Sequence, residues 1–422
     1  MNSETMKLVM ETLINGLPKG SQDFKDRGKK AWRQVGKEVM ILHENYTGKA
    51  GEFQRDKNPI HTHLDGYQLY FFPRNLFRVM HVIQNLPWIS GRGVFPSRSP
   101  TKFEMLDIGA GSGAFSLGVL AAMAEGPKAA RPSELSIVLV DQGKQMLQLA
   151  ENNLKYFATK ALPDTNLTVT TYPEGVERFL TINEPGKSFD LIGGAMMLNE
   201  LNLLGSRRGT DRATRFAASF RKLGTAGTTH LFVEPGTRKG FMNLHALREQ
   251  MSGDKVLFPC PHTEKCPIYS HKVNRWCHGT TKLPSQFFFD SELRQFGGLT
   301  FQMAELNYSA LAVLQDPEHT RNSVFHSIPG GRIVSSWLPA RNSIKQQMET
   351  ETKQKIVLVC EKDGTLQERN PGRVYGNPRG QWLDPQPLTE EIGDSETPIT
   401  KEQYIKPIKR NVKRGNDWKK KR

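Results

Sequence analysis

Four cysteines among 422 residues are too few for a disulfide scaffold. No stretch reaches the roughly 18 uninterrupted apolar residues of a membrane span, so no membrane partner is expected. The opening residues have neither the basic start of a secretory signal nor the arginines of a transit peptide: up to Pro18, Lys7 is the one base, against Glu4 and Glu11. A cytoplasmic location is the default expectation, with a mitochondrial one as the alternative. There is no internal repeat and no long low-complexity block.

Acids are also short. Against 43 Asp and Glu stand 58 Lys and Arg, a net charge of +15. The excess is uneven, because residues 401–422 carry ten Lys or Arg and two acids, a net +8. With almost no aliphatic residues, that tail has no face to bury and is expected to stay disordered until it meets a polyanion such as RNA. The remaining chain is ordinary globular material, 37% apolar and 24% charged overall. It is long enough for a substantial core with appendages.

The most informative stretch runs from Phe103 to Leu117. Apolar residues lead into Asp107, glycines follow at 109, 111 and 113, and an Ala/Leu/Phe pattern suited to a helix begins. This predicts a strand, a tight turn and a helix start, with glycines where a side chain would hold the backbone off a ligand. Ser136 to Asp141 reads as the second strand, ending in a carboxylate suited to the two hydroxyls of a ribose. Asp107 is placed to orient the turn or to reach a ligand's amino group. Gly109, Gly111 and Ala114 also satisfy the dinucleotide pattern, but the extra glycine, the leading Asp107 and an acid 32 positions after Gly109 favour S-adenosylmethionine over NAD.

Around this core, residues 1–96 read as helical, with apolar faces at Leu8 to Ile14, Trp32 to Leu42 and Tyr67 to Ile83, the last interrupted by Pro73. Lys25 to Lys37 makes the second segment basic outside. Strands are expected at Leu167–Thr171, Phe189–Gly193 and Thr229–Glu234, alternating with helices, hence a mostly parallel sheet covered on both faces. Two closing strands are expected at Phe301–Leu306 and Ala310–Leu314, and short strands at Arg332–Trp337, Lys355–Cys360 and Thr365–Arg369.

All four cysteines fall in the second half: Cys260, Cys266, Cys277 and Cys360. Four thiolates can close a tetrahedral zinc site or hold an iron–sulfur cubane. Spacing alone prefers neither. His262, His271 and His278 are alternates, and Pro259, Pro261 and Pro267 stiffen the loop. At the end of the fourth strand, Asn199 and Glu200 are the only polar side chains placed to act on a methyl acceptor, and they read equally well as a helix cap with its acidic neighbour. An Asp/Asn-Pro-Pro-aromatic turn for base amino groups is absent there, and so is a spare cysteine nucleophile.

Pro259-Cys260-Pro261-His262, Cys266-Pro267, Arg275-Trp276-Cys277-His278, Glu234-Pro235-Gly236-Thr237 and Leu358 to Gly364 together resemble the methyltransferase-like proteins of the small ribosomal subunit, bacterial and mitochondrial, over residues 60–385 or so. The resemblance implies a Rossmann-like α/β class I methyltransferase fold with an N-terminal helical region (1–96), a methyltransferase-like domain (97–318) holding a cysteine-bearing insert (251–292), a small β-rich extension (319–385) and a basic tail (386–422). It implies a four-iron, four-sulfur cluster rather than zinc, with Cys260, Cys266, Cys277 and Cys360 as ligands. Gly109, Gly111 and Asp141 would line the methyl-donor site, joined by Asp107 and Gly113 from the pattern above. The implied partner is the small ribosomal subunit and its RNA. The expected function is methyl transfer to that RNA, the alternative a catalytically silent assembly factor that keeps both cofactors.

Overall fold

The computed structural model describes residues 2–17, 21–47, 63–86, 101–182, 188–201, 203, 209–251, 253–260, 264–270, 276–284, 287, 289–299, 305–315, 331–333, 338–339, 355–361 and 366–369. The basic tail, the boundary between residues 96 and 97, His262, His271 and the Cys360 side chain lie outside them.

Five strands form the parallel part of the main sheet: β1 (Lys102–Ile108), β2 (Glu134–Val140), β3 (Asn166–Tyr172), β4 (Phe189–Ala195) and β5 (Gly224–Pro235). Their order is β3-β2-β1-β4-β5, followed by β8 (Glu305–Leu314), antiparallel to β5, and then β6 (Lys255–Phe258); β7 (Gly279–Lys282) also pairs with β8. The strand order reverses between β1 and β4, and the crevice beyond their carboxyl ends is where such sheets bind ligands. The two expected closing strands are one strand, β8. Asn307, Tyr308 and Ser309 break its apolar run in sequence, yet Tyr308 and Ser309 are buried. Its partners on the edge away from β5 are the four-residue strands β6 and β7, too short to stand out in sequence.

A second, small sheet is built from β9 (Gly331–Ile333), β10 (Leu338–Pro339), β11 (Lys355–Glu361) and β12 (Leu366–Arg369), with Cys360 paired to Leu366 and Arg332.

Helices α1 (Ser3–Asn15), α2 (Ser21–Thr47), α3 (Leu64–Gly66) and α4 (Phe72–Gln84) precede the sheet, and α5 (Ala114–Glu125), α6 (Lys144–Ala161), α7 (Val176–Ile182), α8 (Leu198–Leu201), α9 (Gly209–Leu223), α10 (Arg238–Gln250), α11 (Pro267–Ser270) and α12 (Phe289–Gln295) connect or follow its strands. Helix α5 is apolar nearly all round and buried nearly all round, because α4 covers the side that the sheet does not. Gly118 permits that approach, since a Cβ there would meet Val79 Cγ1 at 2.8 Å. Leu76, Val79, Val82 and Ile83 of α4 are fully buried. At about 1.5–3 kcal/mol for each such side chain, the N-terminal helices are part of the core. Pro73 does not break this segment. It sits in the first turn of α4, directly after a π-helical turn, Tyr67–Phe71, which absorbs the backbone bond that a proline cannot donate.

Candidate functional site

The turn after β1 is built as its glycines require. Gly109, Gly111 and Gly113 have φ of +67°, +53° and +91°, all in the left-handed region that other residues rarely enter. Gly109 and Ala110 both donate to the Val140 carbonyl, at 2.8 and 3.0 Å, which ties the turn to the end of β2. Asp141 then grips the turn from the side: its Oδ2 accepts from Gly111 N at 3.0 Å and its Oδ1 from Gly143 N at 2.7 Å. A carboxylate at the end of the second strand is placed to suit a diol.

Asp107 is fully buried and faces the helix that follows the turn. Its Oδ2 accepts from Ser116 Oγ at 2.6 Å and Ser116 N at 3.2 Å, while Oδ1 has no partner among the described residues. Burial raises its pKa to about 7 against the opposing pull of the Ser116 bonds.

The turn after β4 faces the glycines. A Cβ on Gly109 would meet Met197 Cβ at 2.6 Å. Met196 itself takes φ +64°, a left-handed conformation that costs a non-glycine residue about 1–2 kcal/mol. Glu234, the buried last carboxylate of β5, holds this turn: its two oxygens accept from Leu198 N at 2.8 Å and Asn199 N at 3.2 Å. The cap of α8 is thus Glu234 rather than Asn199. Asn199 Oδ1 is buried without a partner among the described residues, and Glu200 is exposed. Burial raises Glu234 to about 8 despite its backbone bonds. In sequence Glu234 reads as the end of a strand and as part of the Glu234–Thr237 motif, not as the anchor of a neighbouring turn; the signal available is that it closes an apolar run just as Asp107 and Asp141 do.

Both raised carboxyls have one consequence for stability. The folded state keeps a proton on each that the unfolded state has released, from the ordinary carboxylate range up to about 7 for Asp107 and about 8 for Glu234. Stability from these groups is full at low pH and falls as pH rises through that window, by about 1.4 kcal/mol per pH unit for each. Melting temperatures of the wild type should decline between pH 6 and 8 relative to Glu234→Gln. A pH-independent difference between the two would contradict this.

Three of the four cysteines converge elsewhere on the sheet. Strands β6 and β7 share one edge of β8, so the segment between them leaves and returns at the same strand. Cys260 lies just after β6 and Cys277 just before β7. Ser309 Oγ donates to the Cys277 carbonyl at 3.0 Å, and Trp276 Nε1 to the Gly236 carbonyl at 2.9 Å, fixing the returning limb. Cys260, Cys266 and Cys277 line one cavity of about 40 Å³ together with Phe241, Leu244, His245 and Arg248 of α10. Cys266 and Cys277 are buried and Cys260 is half-buried. Burial, then the neighbouring Cys260, pushes the Cys266 thiol up to about 12, with Cys277 adding to the effect. Arg248, 8% exposed, lies beside Cys260 and Cys266 and pairs with Glu249 at 3.0 Å, which offsets the cost of its burial. Among the described residues no three His, Cys, Asp or Glu are arranged to hold a metal ion as they stand. His278 turns away into a contact with the Trp276 carbonyl at 2.9 Å.

The helix α10 joins the two regions. Thr237 caps it, accepting from Gly240 N at 3.1 Å; four of its side chains line the thiol cavity, and Asn243 Nδ2 donates to Leu198 O at 3.1 Å.

Residues 96–382 match the family described as Mitochondrial small ribosomal subunit Rsm22. The chain belongs to that family. No curated protein matches. Among solved structures it is similar to a precorrin-6y C5,15-methyltransferase from Geobacter metallireducens (13% identity over 52% of this chain and 84% of that one, TM-score 0.29). It is also similar to a TehB-like SAM-dependent methyltransferase from Corynebacterium glutamicum (13%, 61% and 100%, TM-score 0.29) and an O-methyltransferase from Bacillus cereus (14%, 67% and 90%, TM-score 0.26). The strand order, with the antiparallel β8 between β5 and β6, is that of class I methyltransferases. No described helix is long and apolar enough to cross a membrane.

Proposed function

We propose that this Rsm22-family chain works with the small ribosomal subunit as an S-adenosylmethionine-dependent methyltransferase-like protein that carries a four-iron, four-sulfur cluster. The observation that carries the reading is the turn at Gly109–Gly113, which takes left-handed φ at three glycines at the switch point of the sheet and is tied to Asp141. The residues fit the methyl donor. Asp141, at the end of β2, is a carboxylate suited to a ribose, and Asp107 Oδ1, buried with no partner among the described residues, suits an ammonium group behind the turn. The donor supplies a methyl group on a positively charged sulfur. The protein's part is to hold an acceptor in line with it, and Asn199 and Glu200 are the candidate residues on that side.

The choice of a cluster over zinc rests on the sequence resemblance, since four thiolates suit either. Cys260, Cys266 and Cys277 line one cavity, with Arg248 beside them. Cys360 is the proposed fourth ligand.

The assembly-factor reading is favoured by one feature: the amides of the turn after β4 are already committed to Glu234, and nothing in the described residues there marks a base-specific acceptor site. Mass-spectrometric mapping of small-subunit RNA from cells lacking the protein separates the two. Loss of one methyl mark supports the enzyme; unchanged marks with immature subunits support the factor. The family description favours the mitochondrial location over the cytoplasmic default.

Residues 401–422 are proposed to contact the RNA. Each phosphate neutralised contributes about 0.7–0.9 to the salt slope of binding, so removing ten bases should lower that slope by several units. An unchanged slope would leave the tail without this role.

A further inference from the structure

The N-terminal helical region places a side chain over the glycine turn. Tyr67, in the π-helical turn before α4, is half-buried, and its hydroxyl lies 3.3 Å from where a Cβ on Gly111 would stand. Inserted π turns recur at functional positions because they re-aim side chains that a regular helix would place elsewhere. The ring is set by Phe71, stacked at 6.1 Å between centroids and 25° between planes.

Arg78 Nη1 donates to Asn75 Oδ1 at 3.0 Å, and Arg78 Nε is anchored on the Asn307 carbonyl at 3.0 Å. With its oxygen committed to Arg78, Asn75 has only its amide nitrogen to offer the neighbouring Tyr67 hydroxyl, a role in which the hydroxyl accepts and keeps its own hydrogen to give. Burial, then the charges of Asp141 and Glu200, raises the Tyr67 pKa, so the group stays a neutral donor.

Gly111 is where this hydroxyl and Asp141 meet, since Asp141 Oδ2 accepts from Gly111 N. A carboxylate accepts the hydroxyl hydrogens of a ribose; a neutral phenol donates to its oxygens. The two are complementary partners for one sugar.

We propose that Tyr67 is a binding residue of the methyl-donor site, donating a hydrogen bond to a ribose oxygen of the bound donor. This rests on the donor-site reading above and goes beyond it, because Tyr67 and Asn75 lie outside the family match at residues 96–382. The donor pocket then has a wall supplied by the N-terminal helices.

The test is titration calorimetry on the full-length protein and on Tyr67→Phe, using S-adenosylhomocysteine and 5′-methylthioadenosine. The second compound keeps the ribose and lacks the amino-acid end. Loss of about five- to tenfold in affinity for both compounds is expected. The ligand-free melting temperature of the variant reports whether it is folded; a drop in affinity at an unchanged melting temperature separates binding from packing. Weakening confined to S-adenosylhomocysteine would overturn the ribose assignment, and unaltered affinity for both would overturn the role of Tyr67 altogether. If the wild type binds neither compound, the donor-site reading fails first and this one with it.

Discussion

Cys266→Ser is expected to empty the thiol site of iron and sulfide, leaving less than about a tenth of the wild-type content in protein purified without oxygen. Cys266 is buried, and burial with two thiol neighbours makes its ionisation unfavourable, against the opposing pull of Arg248, until a metal ion is present. A serine hydroxyl is a harder and far weaker acid, so the same cavity no longer offers a thiolate at that corner. If the cysteines only pack, the change replaces one small side chain by another and costs about 1–3 kcal/mol for a buried hydroxyl, with no change in colour. If they hold metal, the free energy of binding is also folding energy, and the melting temperature should fall further. Because α10 lines the cavity and also holds Leu198 through Asn243, the turn after β4 should loosen in the same variant. Hydrogen exchange at Leu198 and Asn199 reads that directly; unchanged protection there would separate the two regions.

Gly109→Ala is expected to weaken donor binding by about a hundredfold and to lower stability by about 2–4 kcal/mol. Two costs combine at this residue. Alanine is strained at φ +67°, and its methyl would stand 2.6 Å from Met197 Cβ. Met197 cannot retreat freely, since the next two amides are fixed to Glu234. Gly227 separates the costs: it has φ +90°, but a methyl group there would meet nothing within 4 Å among the described residues. Gly227→Ala should lose about 1 kcal/mol and leave donor affinity unaltered. Equal affinity losses in the two variants would mean that crowding at Met197 has no part in the donor site.

The glycine turn, β1, β2, β4 and the carboxylate at Asp141 were legible because buried parallel strands are largely apolar and a left-handed turn needs glycine; the edge strand β3 showed instead through its β-branched Thr and Val residues. The closing part of the sheet was not. Lys255–Phe258 and Gly279–Lys282 carry four residues each and become strands only by pairing with β8, which no local pattern records. The segment around Pro73 reads as interrupted, whereas the chain continues as helix by changing its hydrogen-bond register first. Within the candidate site, the grouping of Cys260, Cys266 and Cys277 followed from their closeness in sequence. Glu234, Arg248, Tyr67 and Asn75 did not, because each acts through a neighbour brought in by the sheet or by α4.

Iron, acid-labile sulfide and zinc measured together on full-length protein purified under strict exclusion of oxygen test the central claim most directly. About four irons and four sulfides per chain, with zinc near background, is the expected result. A chain that carries stoichiometric zinc, or none of the three, would contradict it.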